Sequence, residues 1–114
     1  MSSKIILETR KQKLETDEEA KNEERTSFFR KLIKESIENE MEIDSLLRNI
    51  LEKWDLNRVA LLDKIIAHLG VCEIKFFSEI PKPVSINEYI EIAKEYGSEQ
   101  SGKFINGVLN AVTC

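Results

Sequence analysis

Residues 55–77, DLNRVALLDKIIAHLGVCEIKFF, decide the fold. Leu56, Val59, Leu62, Ile65, Ile66, Leu69 and Cys72 recur there mostly at spacings of three and four, a helical period, and Ile74 and Phe76 widen the apolar coverage. Their apolar coverage is too wide for a surface helix, so this segment reads as the central, most buried one. Asp55 or Asn57 is placed to cap its start by accepting hydrogen bonds from first-turn amides. Gly70 in its middle costs about 1 kcal/mol against alanine, which predicts close packing by a neighbouring helix.

Upstream, Phe28, Phe29, Leu32, Ile33 and Ser36-Ile37 mark an amphipathic helix from Thr26-Ser27 to about Asn39. A second stripe follows in Ile43, Leu46, Leu47, Ile50, Leu51 and Trp54, after a soft break at Glu40-Met41-Glu42 that contains no Gly or Pro. Downstream, Pro81 and Pro83 predict an extended connector over Ile80–Val84, because each proline pushes its predecessor out of the helical region. Ser85-Ile86-Asn87-Glu88 has the form of a capping box, which predicts a helix from Ile86 with Ile86, Tyr89, Ile90 and Ala93 inward. Gly97 sits where a left-handed helix stop is expected. Ser98 offers the next N-cap, ahead of Phe104, Ile105, Val108, Leu109 and Val112. The fold class expected is all-α: a compact bundle of about five helices over residues 26–114, preceded at 1–25 by a mixed-charge polar linker or helical tail.

Length and composition agree with that reading. A chain of 114 residues affords one core, and 41% hydrophobic with 33% charged residues is the balance of a helix-rich globular protein. The N-terminus lacks a signal-peptide core, and no apolar run approaches the ~20 residues that span a bilayer. Cys72 and Cys114 make no disulfide framework or metal spacing and read as free thiols. A cytoplasmic location and no membrane partner are therefore expected. The net charge of -4 disfavours a nonspecific nucleic-acid coat, since such binding depends on neutralising phosphates. Any RNA contact must be local or must borrow positive charge from a partner.

Catalysis finds little support, and no enzyme activity, metal or cofactor is expected. The one histidine, His68, has no nucleophile at a recognisable spacing and reads as a boundary residue of the central helix. Asp63 and Glu73 are ten residues apart on one helix, about 15 Å along its axis, too far to share a task. No Gly-rich phosphate loop, zinc spacing or calcium loop is present. The stretch between Gly97 and Gly102 is more interesting. It reads as a helix stop followed by a helix start, where free amides and the positive dipole end suit a phosphate or a base edge. Lys103 and Phe104 follow directly, a cation and an aromatic of the kind that hold single-stranded nucleic acid.

Three pieces then carry a family resemblance: Pro83-Val84-Ser85-Ile86-Asn87-Glu88, Glu91-Ile92-Ala93-Lys94-Glu95-Tyr96-Gly97, and Ser101-Gly102-Lys103-Phe104-Ile105-Asn106-Gly107-Val108-Leu109. In this order and spacing they resemble the C-terminal signature of the NusB family of transcription antitermination factors. Trp54–Val59, the helix LLDKIIAHLGVCEI and Phe28–Leu32 resemble upstream family segments, so the likeness covers roughly residues 26 to 112. It implies an all-α fold that binds boxA-type RNA together with the small ribosomal protein NusE, within a transcription elongation complex making ribosomal RNA. Carried over by position, the RNA surface would comprise Ser98, Gln100, Ser101, Lys103 and Phe104. Asn57, Arg58 and Asp63 would face RNA or the protein partner. Asn87, Asn106 and Gly107 would be structural. The chain departs from the family where an Arg-rich first helix is usual, at Gln100 where an acid is usual, and at His68 where an arginine is common. Either the chain is the C-terminal part of a longer homologue, which the linker-like residues 1–25 favour, or its N-terminal half has diverged. The alternatives are a protein-interaction scaffold or the accessory domain of an RNA methyltransferase, neither binding RNA itself.

Overall fold

The structure, a computed structural model, describes residues 3–113, with side chains from residue 18 onward except Leu56. Among the described residues the regular structure is all helix, without strands. The helices are α1 (Ser3–Glu38), α2 (Glu40–Leu51), α3 (Leu61–Phe76), α4 (Lys82–Tyr96) and α5 (Glu99–Asn110), with a 3-10 turn at Leu56–Arg58 before α3. The expected all-α class and its five helices are thus observed. The chain divides into two compact units, Met1–Lys31 and Leu32–Cys114.

In the first unit, residues 18–31 are exposed on every side of α1. The helix does not begin at Thr26 as the apolar stripe suggests but runs through it, because the preceding residues are mostly strong helix formers with no Gly or Pro to stop it. Its end follows from Asn39, whose side-chain amide donates to the Glu35 carbonyl at 2.9 Å and to the Glu35 carboxylate at 3.0 Å. By competing for backbone acceptors, Asn39 breaks the chain between α1 and α2 without Gly or Pro.

The second unit is organised around α3, which packs against α2, α4 and α5. Ile43, Leu47 and Leu51 of α2, Ile66, Ala67 and Val71 of α3, Ile86, Tyr89 and Ala93 of α4, and Phe104, Ile105, Val108 and Leu109 of α5 form its core. Each large aliphatic or aromatic side chain so buried contributes about 1.5–3 kcal/mol. A Cβ built on Gly70 would lie 2.8 Å from both Leu109 methyl carbons, which is the close approach its mid-helix position predicts. The buried face of α3 differs from the expected one, however. Leu62 and Ile65 are exposed, whereas Asp63, Ala67, Gly70 and Glu73 are buried.

Four local expectations are corrected. Asp55 caps the 3-10 turn, accepting from the Asn57 amide at 3.2 Å, while α3 begins later at Leu61 after an extended Ala60 with no side-chain cap. The proline pair is no connector: Pro81 is the N-cap of α4 and Pro83 lies in its first turn. Proline suits that place because first-turn amides have no intrahelical acceptor to lose. Ser85 is consequently one turn inside α4, fully buried, and makes no capping box. Gly97 is not left-handed (φ −118°, ψ −111°). A Cβ there would run into the Ser101 hydroxyl and come within 2.8 Å of the Ala93 carbonyl, so the glycine serves close approach.

Helices α4 and α5 form an antiparallel hairpin held at its open end by Lys82. Its ammonium donates to the carbonyls of Asn110 and Val112 just where α5 ends. A cation there satisfies carbonyls that have no intrahelical donor and meets the negative end of the helix dipole.

Candidate functional site

The beginnings of α3 and α5 lie side by side, and between them opens a cleft of about 570 Å³. Its walls include Trp54, Asp55 and Arg58 on one side and Ser98, Gln100 and Phe104 on the other, with Asp63 and Ser101 at their junction. A cavity of this size is in the range that accepts small ligands or a nucleobase.

Ser98 builds one wall. It adopts the extended N-cap conformation expected for it, and its hydroxyl accepts from the Ser101 amide at 3.3 Å. The Ser101 hydroxyl accepts in return from the Ser98 amide at 3.2 Å, a capping box with serine in place of the usual Glu or Gln. The same Ser101 hydroxyl donates to Asp63 Oδ2 at 3.1 Å. Asp63 is 8% exposed, and its other oxygen is buried without a partner. As the third residue of α3, it places its carboxylate at the positive end of that helix.

The residues expected to share an RNA surface thus separate by environment. Ser98, Gln100 and Lys103 are exposed, whereas Ser101 and Phe104 are buried at 6% and 5% exposure. Of the partner-facing set, Asn57 and Arg58 are exposed on the 3-10 turn and Asp63 is buried. Arg58 Nε lies 3.3 Å from Asp55 Oδ2, both side chains largely in solvent, where such a pair contributes little. Arg58, Asp63, Ser98, Gln100, Ser101 and Phe104 meet at one cleft, while Asn57 and Lys103 lie outside its lining.

Trp54 completes the cleft, and the apolar stripe of α2 gave no sign of this. It follows the end of that helix, its amide bonded to the Leu51 carbonyl at 2.9 Å, and forms a T-shaped pair with Phe104, ring centroids 5.1 Å apart and interplanar angle 86°. Gly107 makes room for it, since a Cβ there would lie 3.2 Å from the indole. This close approach is the structural role expected of Gly107.

Three further polar contacts lie outside the cleft. His68 Nδ1 is 3.4 Å from Asp44 Oδ1 beside a groove of about 580 Å³ lined by Leu47, Leu51, Ile65 and Leu69. In the core, the Tyr89 hydroxyl donates to Glu73 Oε1 at 3.4 Å, and the Cys72 thiol donates to the Leu32 carbonyl at 3.8 Å. Burial first, then Glu73, pushes the Tyr89 hydroxyl far above its usual range. Burial, then Glu35 and Glu73, pushes the Cys72 thiol up to about 11. Cys114 lies outside the described residues. Among the described residues no helix is long and apolar enough to cross a membrane, and no group of three or more His, Cys, Asp or Glu is placed to hold a metal ion.

The chain is an all-α module with a cleft of about 570 Å³ between two helix starts. The comparisons with known proteins narrow that class. The NusB family model matches residues 2–113, so the chain belongs to the NusB family. Its relatives include the transcription antitermination protein NusB of Bacillus mycoides, 46% identical over 90 residues that make up 79% of this chain and 69% of that protein. The Bacillus cereus protein of the same name is 44% identical over the same shares. A solved structure of T. maritima NusB superposes with a TM-score of 0.65 at 47% identity, covering 71% of this chain. The chain spans 57% of the length of that structure. These relatives are named for a part in transcription antitermination and not for a reaction.

Proposed function

We propose that this chain acts in transcription antitermination by binding boxA-type RNA jointly with the NusE ribosomal protein, as part of an elongation complex making ribosomal RNA. The observation that supports this most is the capped start of α5 at the mouth of the cleft. It holds Ser98 and Gln100 exposed beside first-turn amides, with Lys103 one turn along the same helix. Amides at a helix start, a cation and a cleft suit a single-stranded nucleotide better than a duplex, whose bases are stacked away. The net charge of -4 makes the partner important, because it supplies basic surface that this chain lacks.

The test is a fluorescence-anisotropy titration of a short labelled boxA-type RNA at two salt concentrations, with and without the NusE partner. Partner-enhanced, sequence-selective binding is expected, with Lys103→Ala weakening it and lowering the salt slope by about 0.7, the share of one phosphate on a single strand. No selective binding even with partner present would leave the chain a scaffold.

A further inference from the structure

We infer that Trp54 is the residue on which an RNA base stacks in the cleft. This rests on the RNA-binding reading above and adds to it the contact that receives the base. Phe104, the aromatic that the sequence offers for that role, is 5% exposed and belongs to the core. Trp54 lines the same cleft and is 41% exposed.

The indole is presented and held. Phe104 forms a T-shaped pair with it, centroids 5.1 Å apart, and the bare backbone of Gly107 approaches its six-membered ring. A ring braced in this way has little rotamer freedom left to lose when a base arrives. Electrostatics select which part of the nucleotide enters. Asp55 and Asp63 line the cleft and disfavour a phosphate inside it, while Arg58 and Gln100 stand at its walls and Lys103 lies just outside. A base inside, with its phosphates toward the outer cations, fits that distribution. Stacking needs an unpaired base, so the ligand class is single-stranded RNA.

Trp54 is the sole tryptophan, so its fluorescence reports this contact directly. The full chain is titrated with the boxA-type RNA, with the NusE partner present. Intrinsic emission and RNA anisotropy are followed together, and the Trp54→Phe chain serves as the emission blank. Quenching that saturates with the anisotropy is expected, along with reduced access of iodide to the indole. Trp54→Ala should weaken binding about ten-fold, within the range for loss of one stacked base, and Trp54→Phe should stay within about three-fold of the original. Trp54→Leu keeps an apolar side chain against Phe104 but offers no aromatic face, and should weaken binding as Ala does while unfolding at the original urea midpoint. Anisotropy that rises without quenching, or Trp54→Leu binding as tightly as the original chain, overturns the assignment and leaves RNA binding standing. No rise in anisotropy overturns both.

Discussion

The Ser101 hydroxyl donates to Asp63 Oδ2 across 3.1 Å, joining the first turn of α5 to the first turn of α3. Two helix starts distant in sequence are thereby locked in register, and the cleft between them takes its shape from this bond. Each partner is buried, so removing either strands a polar group. Asp63→Ala and Ser101→Ala should each cost about 1–3 kcal/mol. In a double-mutant cycle by urea unfolding, the combined loss should fall short of the sum by about 1 kcal/mol. Strict additivity would mean that the two side chains do not act on each other.

At Gly70 two effects oppose. Alanine is the better helix former by about 1 kcal/mol, whereas forcing extra volume into a packed core costs about 1–3 kcal/mol. The contact decides, because the Leu109 methyl carbons, 2.8 Å from where the new Cβ would stand, belong to a side chain with no exposed surface into which to retreat. Gly70→Ala should lower the thermal midpoint. In a Leu109→Ala background the same substitution should become neutral or stabilising.

Lys82 holds the end of α5 from the start of α4. Lys82→Met keeps the aliphatic stem and removes the ammonium, and its half-buried setting suggests a loss of about 1 kcal/mol by chemical denaturation. An unchanged midpoint would show that water caps those carbonyls equally well.

The core thiol gives a pH dependence with a defined sign. Cys72 ionises at 9.0 when unperturbed and at about 11 in the fold, so above pH 9 the unfolded chain releases a proton that the folded chain keeps. Stability is then full below pH 9 and falls as pH rises from 9 to about 11. Tyr89, also shifted upward, adds to the fall at its alkaline end. In a Cys114→Ser background, Cys72 should react with a thiol reagent at neutral pH only as fast as the fold opens. Prompt labelling of the native protein would contradict this.

Much of the second unit was legible in the sequence because its faces are simple. The stripe Phe104, Ile105, Val108, Leu109 and Val112 is buried as its spacing predicts, and Ser98 caps α5 as its place after Gly97 predicts. The proline pair misled because a proline before a helix and one inside its first turn look alike until the helix start is known. Much of the candidate site was less legible. Ser101 and Phe104 share a segment with Gln100 and Lys103, and only the direction in which α5 lies on α3 turns the first two inward and the others out.

The sequence alone determined the all-α class, the existence of five helices, the soft break near Asn39 and the family, since each follows from local spacing, capping or motif. The buried face of α3 was decided only in the tertiary structure. That helix is apolar nearly all round, so its own period cannot choose between Leu62 with Ile65 and Ala67 with Gly70. The choice falls to the face on which α5 can approach closely, which is the face bearing Gly70. The same docking buries Asp63 against Ser101 and leaves Trp54 half-exposed at the cleft, because long-range packing and not local propensity fixes where a side chain ends.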